Sequence, residues 1–109
     1  PCYHNLKENQ RALELQTDVN GKPFDVAFIE DAWGAENEDE ERFCISYINS
    51  YLPNGSIVMP KYNLPADERA RKVYQKLYPE RRIAQINIDN IASGGGGIHC
   101  ITQQQPSGK

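Results

Sequence analysis

The sequence predicts an α/β fold, on three observations: hairpin grammar over residues 43–59, an apolar helical stripe between Pro65 and Pro79, and an alternating strand at 83–88. Residues 43–88 therefore read β-β-α-β. Ahead of them, residues 5–17 (NLKENQRALELQT) are rich in helix formers and hold no Gly or Pro, so a helix is expected, with Leu6 and Leu13 in a loose apolar stripe. Asn20-Gly21 marks a turn, and Phe24, Val26 and Phe28 alternate with Asp25 and Ala27 as a strand requires. The acidic, aperiodic stretch 31–41 (DAWGAENEDEE) reads as a surface loop, and a solvated charged loop is the common meaning of ENEDEE at 36–41.

Phe43, Ile45, Tyr47 and Tyr51 share one face of a strand that holds Cys44 as a packed thiol, Pro53-Asn54-Gly55 supplies the turn, and Ser56 to Met59 returns beside it as a hairpin. Pro60 ends the return strand. Pro65 is placed to open a helix, with Asp67 and Glu68 favouring the positive end of its dipole. Ala66, Ala70, Val73, Tyr74, Leu77 and Tyr78 form its apolar stripe, and Arg69, Arg71, Lys72 and Lys76 its wet face. Residues 83–88 form a strand with Ala84, Ile86 and Ile88 on one side. Finally Gly94 to Gly97 precede an apolar strand signal at 98–102, and a polar tail, 103–109 (QQQPSGK), closes the chain.

A length of 109 residues predicts one compact unit. Hydrophobic residues make up 39 % and charged residues 25 %, which excludes collagen-like and low-complexity classes. Twelve Lys and Arg against fifteen Asp and Glu leave a net charge of −3, the wrong sign for a general phosphate-backbone binder, so no nucleic-acid partner is expected. No apolar run approaches the ~20 residues of a membrane helix, so no membrane partner is expected either. The opening Pro-Cys-Tyr-His is neither an initiator Met nor a signal peptide, which suggests a trimmed chain or a fragment. Cys2, Cys44 and Cys100 form no disulfide framework and no Cys-x-x-Cys metal pair; reduced thiols in the cytoplasm, with Cys2 simply terminal, are the expectation.

The run Gly94-Gly95-Gly96-Gly97 beside Cys100 is the strongest chemical signal. Glycines let the backbone pass close to a small molecule, adopt positive φ and turn several N–H groups toward one place. A thiol nucleophile needs such access and a stabilised thiolate. His99 and Cys100 on one strand would point to opposite faces, leaving His99 badly placed as a base for its neighbour. The plainer reading, a flexible linker before a small buried hydrophobe, stands beside this one. Both phosphate-loop patterns fail, because no Lys-Ser/Thr follows the run and the sixth position of a G-x-G-x-x-G match is His99.

The segment GGGGIHCITQQQP, Gly94 to Pro106, resembles the carboxy-terminal active-site motif of the agmatine deiminases, guanidine-modifying enzymes grouped with the bacterial-type peptidylarginine deiminases. SYINSYLPNGSIVMPKYN at 46–63, the following helix and the 83–88 strand are similar in order and spacing to that family's last blade. The similarity runs through essentially all of residues 1–109 and covers the final third of the family's single catalytic domain. It implies the last blades of a five-bladed α/β propeller, the pentein fold, built from ββαβ units. It also implies Cys100 as the covalent nucleophile, with Gly95, Gly96, Gly97 and His99 lining the substrate, and neither cofactor nor metal. Many relatives carry Asn where this chain has Gly97, which leaves the choice of guanidine open.

The implied reaction is attack of the Cys100 thiolate on the guanidinium carbon of agmatine, loss of ammonia and hydrolysis of an S-alkylthiouronium, giving N-carbamoylputrescine on the route to putrescine. The family draws its acid–base histidine and guanidinium-binding carboxylates from Trp-x-Arg-Asp and Gly-His-x-Asp motifs, and neither occurs in these 109 residues. Asp31-Ala32-Trp33-Gly34 is no substitute, and His4 has no matching neighbours. The isolated chain is thus expected to be inactive and to partner the remaining blades or a second copy. Peptidylarginine deimination, and a non-catalytic assembly module, are the alternatives.

Overall fold

The computed structural model describes residues 2–108; the side chain of Cys2 and the Lys109 end of the polar tail lie outside the described residues. Its elements are α1 (Cys2–Glu14), β1 (Ser56–Lys61), α2 (Pro65–Leu77), β2 (Arg82–Asn87) and a short α3 (Asp89–Ala92), with a 3-10 turn at His99–Ile101. No helix among the described residues is long and apolar enough to cross a membrane.

The α/β class follows from a two-stranded parallel sheet in which Ser56 pairs with Arg82 and the register runs to Lys61 opposite Asn87. Parallel neighbours need a crossover, and α2 supplies it. Pro65 opens α2, as the fixed φ of proline favours at a first helical position. Ala66, Ala70 and Tyr74 of α2 are buried in one apolar cluster with Ile57 and Met59 of β1, joined by Phe43, Tyr47, Tyr62, Ile88 and Ile98 from the connections. Leu77 and Tyr78, expected in the same stripe, lie partly in solvent, where Tyr78 stacks under the Arg81 guanidinium at 4.9 Å.

Asp67 was expected only to complement the helix dipole, yet its carboxylate is buried and accepts three hydrogen bonds. The Tyr47 hydroxyl donates at 2.7 Å, the Tyr62 N–H at 2.9 Å and the Leu64 N–H at 2.9 Å. Burial and this partner push the Tyr47 phenol well above its ordinary pKa.

Several local expectations are corrected. The first helix spans 2–14 rather than 5–17, because Leu15 to Thr17 leave it to enter a turn closed by a Thr17–Pro23 bridge, inside which Asp18 accepts the N–H groups of Asn20 and Lys22. Residues 24–28 find no strand partner among the described residues, and Phe24 and Phe28 stay exposed. The 43–59 hairpin shrinks to one antiparallel bridge, Tyr51 with Val58, whose two N–H···O bonds are 2.9 and 2.8 Å long. The cause is covalent. The next mutually bonded pair of that ladder would join Asn49 to Pro60, and proline has no N–H to give.

The β2 face is inverted relative to its expectation. Ile83 and Gln85 turn toward the core while Ala84 and Ile86 are exposed, because Gln85 donates to the Asp67 carbonyl at 2.8 Å and so faces α2. Ile88 is buried, but as the residue that opens α3.

Candidate active site

Two segments 51 residues apart meet at the thiol. The first is the turn 46–50, released from the hairpin by Pro60 and pinned from below. Tyr47 is tied through its hydroxyl to Asp67, and its carbonyl accepts from the Ser50 hydroxyl at 2.6 Å and the Tyr74 hydroxyl at 3.0 Å. The buried side chain of Tyr47 thereby holds the exposed side of the turn in place, with Asn49 facing Cys100.

The second segment is the glycine run. The N–H groups of Gly94 and Gly95 donate to Ile91 and Ala92 carbonyls and end α3, and Gly95 takes φ +90°, where a side chain is strained. The Ala92 carbonyl also accepts from Cys44 at 3.0 Å, which fastens the run to the 43–47 segment. A Cβ on Gly96 would lie 3.1 Å from both Cβ and Sγ of Cys100. The run thus splits into two glycines that finish a helix and two that pass beside the sulfur.

Residues 98–102 are not the strand expected. Ile98 is helical and buried, His99 to Ile101 form the 3-10 turn, and the His99 carbonyl accepts the Thr102 hydroxyl at 2.7 Å. The opposite-face reading of His99 and Cys100 falls with the strand. Ile98 is buried and Ile101 is exposed. Among the described residues no hydrogen bond joins the His99 imidazole to the thiol.

The contact made instead runs through Asn49. Its Nδ2 donates to Cys100 Sγ at 3.3 Å, and its Oδ1 accepts the His99 N–H at 3.0 Å. Cys100 is an exposed free thiol, and its pKa is lowered first by the Asn49 amide and then by the Gly97 N–H, both of which favour the anion. Asn49 escaped the residue-level reading, although one signal pointed to it: it fills the single polar place in the inward series Phe43, Ile45, Tyr47, Asn49, Tyr51.

Of the expected site residues, Gly95, Gly96, Gly97, His99 and Cys100 lie in one continuous segment, and Asn49 joins them. A shallow depression of about 470 Å³ is lined by Ser46, Ile48, Asn49, Ser50 and His99. A second of about 530 Å³, lined by Tyr51 to Asn54, Thr102 and Gln104, also touches His99. Cys100 lines neither, and its thiol is exposed. His4 sits on α1, 3.3 Å from Glu8. Cys44 is packed against the core as expected, its carbonyl accepting the Tyr62 hydroxyl at 2.7 Å.

The chain is similar to several known proteins. The profile of the Porphyromonas-type peptidyl-arginine deiminase family matches residues 1–106. A Legionella pneumophila (strain Paris) protein carrying the provisional name agmatine deiminase is 42 % identical over 107 residues, covering 97 % of this chain and 31 % of its own length. The solved agmatine deiminase of Enterococcus faecalis superposes with a TM-score of 0.73 at 25 % identity, over 92 % of this chain and 32 % of that one. A Porphyromonas gingivalis structure provisionally titled an arginine deiminase gives 0.75 at 25 % identity, over 95 % and 30 %. The chain thus spans about three-tenths of the length of the relatives it matches. With the profile spanning nearly every residue and the glycine–cysteine segment folded against Asn49, the chain belongs to the Porphyromonas-type peptidyl-arginine deiminase family.

Proposed function

We propose that this chain carries the nucleophilic end of an agmatine deiminase, a hydrolase of the C–N bond of a linear amidine. The observation behind the proposal is the exposed Cys100 sulfur, held by the Asn49 amide at the end of a glycine run that leaves its approach bare. The thiolate attacks the guanidinium carbon, forming a C–S bond. One C–N bond then breaks, and the departing nitrogen takes up a proton and leaves as ammonia. Water adds to the same carbon, the C–S bond breaks, and the thiolate returns as N-carbamoylputrescine departs toward putrescine.

Asn49 donates to the anion and relaxes to accept from the thiol, whose Sγ lies 3.8 Å from its Oδ1, so it serves both protonation states. A guanidinium cation within ~4–6 Å favours the thiolate further. Gly95, Gly96, Gly97 and His99 line the substrate by backbone approach, and residues 1–109 form part of one catalytic domain of a five-bladed propeller. The remaining blades, or a second copy, cover the apolar side chains that α1 and its neighbours leave in solvent, notably Leu6, Phe28 and Ile48. The enzyme works in the cytoplasm, without cofactor or metal.

The test is ammonia release by the full-length protein from agmatine and, separately, from an arginine-containing peptide. Agmatine turnover that Cys100→Ser abolishes is expected. Turnover of the peptide alone would favour protein citrullination, and undiminished turnover by Cys100→Ser would end the proposal.

A further inference from the structure

We propose that Tyr74 is a positioning residue for the Cys100 thiol: from α2 its hydroxyl holds the Tyr47 carbonyl, and through it the 46–50 turn that carries Asn49 to the sulfur. The proposal rests on the hydrolase reading for its catalytic meaning, but the hydrogen bonds behind it do not depend on the substrate.

The apolar stripe of α2 asks only for a ring at 74, and phenylalanine would fill it. The hydroxyl is the extra group, buried with its ring. A buried hydroxyl needs a partner. It finds one outside the helix, in the Tyr47 carbonyl at 3.0 Å, which also accepts from the Ser50 hydroxyl at 2.6 Å. Asp67 and Tyr74 stand about two helical turns apart on one face of α2. The helix therefore grips Tyr47 at both ends, its phenol hydroxyl at Asp67 and its backbone carbonyl at Tyr74.

The two grips do different work. The bond to Asp67 fixes a side chain, whereas the bond from Tyr74 fixes the peptide that leads to Ile48 and Asn49. The turn has little of its own to fix that peptide. Its Asn49 N–H reaches the Ser46 carbonyl at 3.3 Å, beyond the usual N–H···O range, and its Ser50 N–H closes a three-residue turn on the Ile48 carbonyl at 2.7 Å. Two residues after the held carbonyl, the Asn49 amide has to meet both Cys100 Sγ at 3.3 Å and the His99 N–H at 3.0 Å. Rotation of the Tyr47–Ile48 peptide would draw Asn49 off both. A hydroxyl in the core thus governs a contact made at the surface.

The experiment is the pH profile of Cys100 alkylation by iodoacetamide, mapped by peptide mass, in the full-length protein and its Tyr74→Phe, Asn49→Ala, double and Ile83→Val variants. Tyr74→Phe keeps the ring and leaves the Tyr47 carbonyl its Ser50 donor, so no buried group is stranded. It should raise the midpoint and slow alkylation at neutral pH about twofold, since greater intrinsic nucleophilicity of the more basic thiolate offsets part of its lost population. The double variant should match Asn49→Ala, because both losses act through the one amide. Ile83→Val loosens the same apolar cluster from β2, so it should lower the urea midpoint and leave the profile in place. An unmoved midpoint in Tyr74→Phe, additive shifts in the double variant, or an equal shift in Ile83→Val would overturn the proposal. If Tyr74→Phe fails to fold, Ser50→Ala, which removes the other donor to that carbonyl, is read against the same outcomes. Ammonia release from agmatine, read in parallel, separates this result from the hydrolase reading: a shifted profile without turnover sinks only the enzyme, and turnover with an unmoved profile sinks only the positioning role.

Discussion

The groups that stabilise the Cys100 thiolate are neutral dipoles, the Asn49 amide and the backbone N–H groups of Gly97 and Cys100 itself, with no cation among the causes of its lowered pKa. In the proposed reaction, a guanidinium cation beside the sulfur favours the thiolate further. This is a different economy from thiols paired with a histidinium. The glycines beside it also differ in how they fail. Gly95→Ala forces a Cβ into φ +90°, so it should destabilise the protein by about 1–2 kcal/mol, read as a lower urea midpoint at unchanged slope. The sulfur and its glycine run were legible in the sequence because they are contiguous. Asn49 was not, since nothing local says that a polar break in a strand pattern will meet a residue 51 positions away.

Among the elements, α2 and its crossover follow directly from Pro65, the Ala66–Ala70–Tyr74 stripe and Pro79. The hairpin and the face of β2 were misread for one shared reason: side-chain alternation records hydrophobicity but not which backbone or polar groups must be satisfied. Pro60 denies the ladder its next bond, and Gln85 turns inward because its amide finds the Asp67 carbonyl. Asp67 is the hub joining the α2 entrance to the 46–50 turn. Asp67→Ala, which strands three donors, should cost about 2–4 kcal/mol in urea unfolding. Asp67→Asn should cost less, because its carbonyl oxygen can replace Oδ1 for Tyr47 and Tyr62, while its NH2 opposes the Leu64 N–H. Equal losses in the two variants would show that the hydrogen bonds at Asp67 are not what holds this junction.

At the scale of the molecule, a two-stranded sheet with one covering helix leaves α1, among the described residues, without a packing partner in the other elements. The 5–17 reading caught its helix-forming composition but could not place it, since its surroundings are set by residues beyond the crossover unit. The acid–base histidine and the guanidinium-binding carboxylates of the proposed mechanism have no counterpart in the motifs present. Purified residues 1–109 should therefore release no ammonia from agmatine; Cys100-dependent release by that chain would show that this segment suffices. The bridge between Asn49 and Cys100 closes a loop containing both strands and the helix between them, so the sulfur senses whether that entire stretch is assembled. Its labelling rate becomes a built-in gauge of integrity, expected to change in step with circular dichroism as denaturant rises, with no dye or tag attached.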